Sequence, residues 1–174
     1  ALRDLSRLRW HFIGRLQKNK VRGVVKSFEV IHSVDSLALA ERISRIAGEE
    51  NKCPKILLQV KFREDENKGG FDPKRLFFLR AQLFSLPNVK CLGLMTMAPK
   101  GLSLKERGYV FQECRGLANQ LGLSECSMGM SQDWKEALKA GATWLRLGSA
   151  LFGVRTNNVN LPTDITKEEL KPCP

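Results

Sequence analysis

From Trp10 to Leu147 the chain alternates short apolar runs of strand length with longer segments that open on a helix cap, and this alternation restricts the fold more than any other feature. The apolar runs are residues 10–14, 29–34, 55–62, 88–97, 126–130 and 143–147. Between them, Leu16, Val21, Val24, Val25 and Phe28 keep helical spacing. Asp35 or Ser36 caps a helix whose apolar face is Leu39, Ile43 and Ile46. Asp72-Pro73 is a cap followed by an N1 proline, and Ser103 with Glu106 spells a capping box for a helix to about Leu121. Ser131 is expected to cap the last helix, with Asp133 in its first turn and Gly141 at its end. About six β/α units result, which argues a parallel sheet with helical crossovers. A closed barrel needs eight, so the sheet is either open and doubly wound or a barrel without its first strands.

The 174 residues, 43% hydrophobic, can bury a core and read as one domain over residues 1–153, with a tail, residues 154–174, of surface loop and one short helical turn. The five cysteines, Cys53, Cys91, Cys114, Cys126 and Cys173, show no C-x-x-C spacing, which points to a reducing compartment and away from zinc. Two histidines, His11 and His32, are too few for a histidine-rich metal centre. With neither a cleavable leader nor an apolar run of membrane length, the expected location is the cytoplasm. The chain starts at Ala1, and ALRDLSRLR reads as the end of a helix or a connector, so a fragment is expected. The net charge of +11 is densest at Arg15, Lys18, Lys20, Arg22 and Lys26. Without interleaved aromatics, this cluster reads as a solvated basic face rather than a nucleic-acid surface.

The richest stretch is Ser127 to Gly153, SMGMSQDWKEALKAGATWLRLGSALFG. Two consecutive parallel strands end in SMGMS and LGSALFG, each offering hydroxyls and backbone N–H groups where a helix starts. Such loops form an anion cradle, and in β/α barrels the loops after the last two strands commonly take phosphate. All four methionines, Met95, Met97, Met128 and Met130, lie in two strand-end segments, where they either line a ligand or fill the core.

WHFIGRLQKNK at 10–20, HSVDS at 32–36, GLMTM at 93–97, SMGMSQD at 127–133 and LRLGSALFG at 145–153 closely resemble the pyridoxal phosphate homeostasis protein family of YggS or PROSC type. The resemblance implies an alanine-racemase-like (β/α)8 (TIM) barrel, here lacking about the first two β/α units. It also implies pyridoxal 5′-phosphate (PLP) as cofactor and a role in vitamin B6 and amino-acid homeostasis without established turnover. By motif, Ser131, Gly148 and Ser149 match the phosphate-holding groups, with Gly129 and Met130 in the same loop. Arg146 matches the arginine near the pyridine nitrogen, and His11 and Met95 match positions lining the cofactor cavity.

The family's Schiff-base lysine stands in an A-V-S-K-like strand before WHFIG, and this chain begins after it; neither Lys61 nor Lys68 matches that anchor. Weak, non-covalent PLP binding by a monomer is therefore expected, with no catalytic residue. Two alternatives stand beside it. A racemase-like PLP enzyme of this fold group would need a catalytic tyrosine from a second domain, and the lone tyrosine here is Tyr109. A basic module for nucleic acid or a regulatory partner would use residues 15–26.

Overall fold

The computed structural model describes residues 8–64 and 69–153. Six strands form one sheet: β1 (His11–Phe12), β2 (Val30–Val34), β3 (Lys55–Gln59), β4 (Lys90–Met95), β5 (Glu125–Met130) and β6 (Trp144–Arg146). All pair in parallel, and their order in the sheet is their order in the chain. The helices that return the chain between them are α1 (Val21–Ser27), α2 (Leu37–Glu49), α3 (Pro73–Phe84), α4 (Leu104–Gln120) and α5 (Trp134–Lys139), with a short α6 (Ser149–Phe152) after β6. A 3-10 turn, Lys18–Lys20, leads into α1.

The strand phases separate two environments. Ile31, Ile56, Leu58, Leu94, Cys126 and Met128 join Ile43, Leu76, Phe111 and Ala137 in the main core between sheet and helices. Val30, Leu57 and Met95 form a second cluster on the opposite face, with Met97 and Trp144 packed against it. Both faces of the sheet are therefore covered, which is why the strands read as continuous apolar runs. The His11 and Trp144 rings stack with centroids 4.5 Å apart, so side chains from the two terminal strands of the sheet meet. The sheet is curled into a section of barrel, and the doubly wound alternative is excluded.

The caps follow the sequence in two helices and depart from it in two. Asp72 accepts from the Lys74 and Arg75 amides, and Ser103 with Glu106 closes the capping box. Ser36 occupies the N-cap position of α2, but its hydroxyl donates to Asp35 instead of accepting from the helix. Ser131 does not cap α5; Asp133 takes the N-cap position, and the Ser131 hydroxyl is used elsewhere. In the basic cluster, Arg22 is paired with Glu49 and Glu50, and Lys26 lies 3.2 Å from Glu50. Two of its five cations are thus neutralised at the end of α2.

Gly93 allows β4 and β5 to pair, because a Cβ there would stand 2.0 Å from the Glu125 carbonyl oxygen. Gly93→Ala is expected to cost at least about 2 kcal/mol, the range for a substitution that forces backbone apart. Gly116 lies within α4 with nothing near its missing Cβ. Gly116→Ala is expected to stabilise by about 0.5–1 kcal/mol. Urea unfolding of both variants checks the pair.

Candidate functional site

The site is built where β5 and β6 end. Their register pairs Met130 with Arg146, which sets the loop beginning at Ser131 beside the loop containing Gly148. The first loop is shaped by two constraints. Gly129 has φ +89°, and a Cβ on it would lie 2.5 Å from Ala137 Cβ, so the backbone conformation and the packing of α5 both require glycine. Beyond it, the Met130 amide donates to Asp133 Oδ1 at 2.7 Å, while Asp133 Oδ2 takes Arg107 Nη1 at 3.2 Å. Arg107 also donates to the Leu102 and Lys100 carbonyls at 3.0 and 2.8 Å. This mostly buried ion pair thus ties the loops after β4 and β5 to the start of α4.

Ser131 is turned towards the second loop. Its Oγ accepts from the Gly148 amide at 3.2 Å and the Ala150 amide at 3.1 Å. Two backbone N–H groups therefore converge on a single oxygen, the geometry an oxyanion needs. Nothing lies within 4 Å of the Cβ position on Gly148, which leaves the approach open. Ser149 begins α6, and Met130 is 48% exposed at the rim.

Below these loops a polar chain crosses the inner face. Arg146 Nη1 donates to Ser127 Oγ at 2.8 Å, and Nη2 donates to the Thr96 carbonyl at 2.9 Å. Ser127 Oγ lies 2.8 Å from His32 Nδ1, and His32 Nε2 lies 3.1 Å from His11 Nδ1. His11 is half-buried between His32 and the Trp144 ring. Burial lowers the Arg146 pKa to about 10, which leaves the guanidinium charged at neutral pH. Burial, with His11 and Arg146 as further positive neighbours, lowers His32 to about 3. His11 is also lowered, chiefly by burial, with Glu29 opposing.

Of the residues singled out in the sequence, Ser131, Gly148 and Ser149 are brought together with Gly129 and Met130, and Arg146 lies in register beside them. His11 stands at the far end of the polar chain. Met95, 1% exposed, fills the inner cluster with Val30 and Leu57. Lys61 donates to Glu64 at 3.2 Å and lines a cleft of about 720 Å³ bordered by Asp35, Arg63, Asp72 and Glu113, apart from all of these. Lys68 and residues 154–174 lie outside the described residues. Tyr109 is 47% exposed on α4. Sequence reasoning missed His32, Ser127, Trp144 and Arg107. For Ser127 a signal existed: it sits between Cys126 and Met128, which face the helices, so strand alternation turns it inward.

Residues 2–156 match the family described as alanine racemase, N-terminal domain. A pyridoxal phosphate homeostasis protein of Synechocystis is 50% identical over 161 residues, covering 89% of this chain and 74% of that protein. The structure of PipY from Synechococcus elongatus with PLP bound is 48% identical with a TM-score of 0.82, covering 87% of this chain and 74% of PipY. Alanine racemase of Clostridium difficile, 16% identical with a TM-score of 0.68 over 87% of this chain and 40% of its own length, shares the fold. Among the described residues no helix is long and apolar enough to cross a membrane.

Two outcomes are expected. His32 has a folded pKa below its unfolded value, so its neutral form stabilises the fold above about pH 6.5, and that contribution is lost as pH falls from there towards 3. The urea midpoint should fall with acidification as stability drops by up to ~1.4 kcal/mol per pH unit for one such group, and fall less in His32→Asn. Arg107→Ala, which leaves Asp133 buried without its cation, is expected to cost about 2–4 kcal/mol, read from the same midpoint at pH 7.5.

Proposed function

The chain belongs to the pyridoxal phosphate homeostasis protein family, and from that membership we propose that it binds PLP as a carrier or buffer of the cofactor in vitamin B6 and amino-acid homeostasis rather than turning over a substrate. The observation that carries the reading is the convergence of the Gly148 and Ala150 amides on the Ser131 hydroxyl oxygen. Those amides fit a phosphate oxygen equally well, with the Ser131 hydroxyl then turned to donate. Ser149 adds a second hydroxyl, while Gly129 and Met130 shape the rim.

Arg146 is the residue we assign to the pyridine nitrogen. Bound PLP supplies an aldehyde and an electron-accepting ring. A buried guanidinium fixed by Ser127 and Thr96 favours an unprotonated ring nitrogen, which weakens the ring as an electron sink and suits a carrier. His11 borders the same inner face, and Met95 packs beneath it. Lys61 lines a separate cleft, so retention through phosphate and ring is the mode we assign to the described residues. We assign the protein to the cytoplasm as a monomer.

The test is an absorbance titration with PLP and with pyridoxal, which has no phosphate. PLP is expected to bind at least about tenfold more tightly, the weight of one or two charge-assisted hydrogen bonds. Ser131→Ala should narrow the gap. Equal affinity for the two ligands would remove the phosphate assignment, and a stoichiometric lysine adduct after borohydride reduction would overturn non-covalent retention.

A further inference from the structure

The polar chain on the inner face has a direction, and the direction follows from counting protons. Ser127 is fully buried. Its Oγ already accepts from Arg146 Nη1 at 2.8 Å, and arginine can only donate. The hydroxyl proton needs an acceptor, and among the described residues the other polar atom bonded to this oxygen is His32 Nδ1 at 2.8 Å. His32 Nδ1 must therefore be unprotonated and accept. A neutral imidazole without a proton on Nδ1 carries it on Nε2, and that atom lies 3.1 Å from His11 Nδ1. His11 Nδ1 must accept in turn, which leaves the His11 proton on Nε2. The opposite order would give Ser127 two donors to accept from and strand its own proton in a buried site, the arrangement folded proteins avoid.

We propose that His32 and Ser127 are positioning residues of the PLP site: they hold the Arg146 guanidinium through a one-way hydrogen-bond chain, Arg146 to Ser127 to His32 to His11, which fixes both histidines as Nε2–H tautomers. His32 lies on β2 and Ser127 on β5, so the guanidinium is held from across the inner face as well as by Thr96 at the end of β4. The half-buried end has a defined chemistry as well. His11 Nε2 has no partner among the described residues and can only donate, so that end of the chain takes a hydrogen-bond acceptor such as a carbonyl or an anionic oxygen. With the Gly148 and Ala150 amides, this gives three N–H donors suited to an acceptor-rich anionic ligand. The link to ligand affinity rests on the PLP reading above; the tautomers do not.

The experiment therefore has two arms. Long-range proton–nitrogen correlation on the 15N-histidine-labelled full chain without ligand, at neutral pH, resolves just two imidazoles because the chain has two histidines. Both are expected to show a protonated Nε2 and an unprotonated Nδ1; an Nδ1–H form of either ring would overturn the chain. The second arm titrates PLP by absorbance into wild type, His32→Asn, whose amide oxygen can still accept from Ser127, and His32→Leu, which cannot. His32→Leu is expected to bind at least about tenfold more weakly, with His32→Asn recovering most of the loss. Wild-type affinity in a folded His32→Leu would overturn the positioning role. Absence of PLP binding by wild type would sink the functional reading while the tautomers still decide the direction of the chain.

Discussion

The hydrogen bond between His32 and Ser127 is the contact on which the curled shape of this sheet turns. It joins residues 95 apart in sequence on two strands, β2 and β5, that are not neighbours in the sheet. A parallel sheet of six strands can lie open and twisted, in which case opposite strands never meet. Here the inner face is narrow enough for an imidazole and a hydroxyl to bridge it, with the His11 and Trp144 rings in contact alongside. Apolar packing from Val30, Leu57 and Met95 supplies non-directional burial at the same level. The polar bridge adds direction, because it is satisfied only in one arrangement of the strands.

The same bridge connects architecture to ligand chemistry. Arg146 costs free energy to bury, and its fixed partners offset part of that cost by satisfying two of its donors. The loops above it use a different device, a glycine conformation at 129 and the ion pair between Arg107 and Asp133, to bring Ser131 against the start of α6. Neither device depends on a long side chain reaching into solvent. The site is held from beneath by strands and from one side by α4, which are rigid elements.

Much of this was legible in the chain and some was not. Between Trp10 and Leu147 each expected strand and helix is present, because strand-length apolar runs and caps such as Asp72 and Ser103 are local signals that the tertiary structure reinforces; the helical expectations for ALRDLSRLR and for the tail fall wholly or mostly outside the described residues. Strand lengths were overestimated: residues 55–62 contain a strand ending at Gln59, with Val60 left to an isolated bridge with Phe71. Ser131 was assigned to the wrong helix because a cap preference is local, whereas the amides its hydroxyl meets lie 17 and 19 residues away. His32 looked like a motif residue without a role, since nothing near it in sequence identifies Ser127 as its partner. The pairing of Arg107 with Asp133 was hidden for the same reason. Two charges 26 positions apart, in a chain with 29 basic residues, carry no mark of being a pair.

The order of the strands bears on how the molecule comes to be folded. Because each strand pairs with the one before it in the chain, the sheet can grow one β/α unit at a time, with only modest loop closures at each step. The bridge from His32 to Ser127 cannot form until four units have assembled with their phases correct. A slip of one residue in β2 or β5 would turn His32 or Ser127 towards the helices and leave the other buried polar group alone. The polar chain thus acts as a register check at the end of assembly, favouring the one curvature that also sets Arg146 in place.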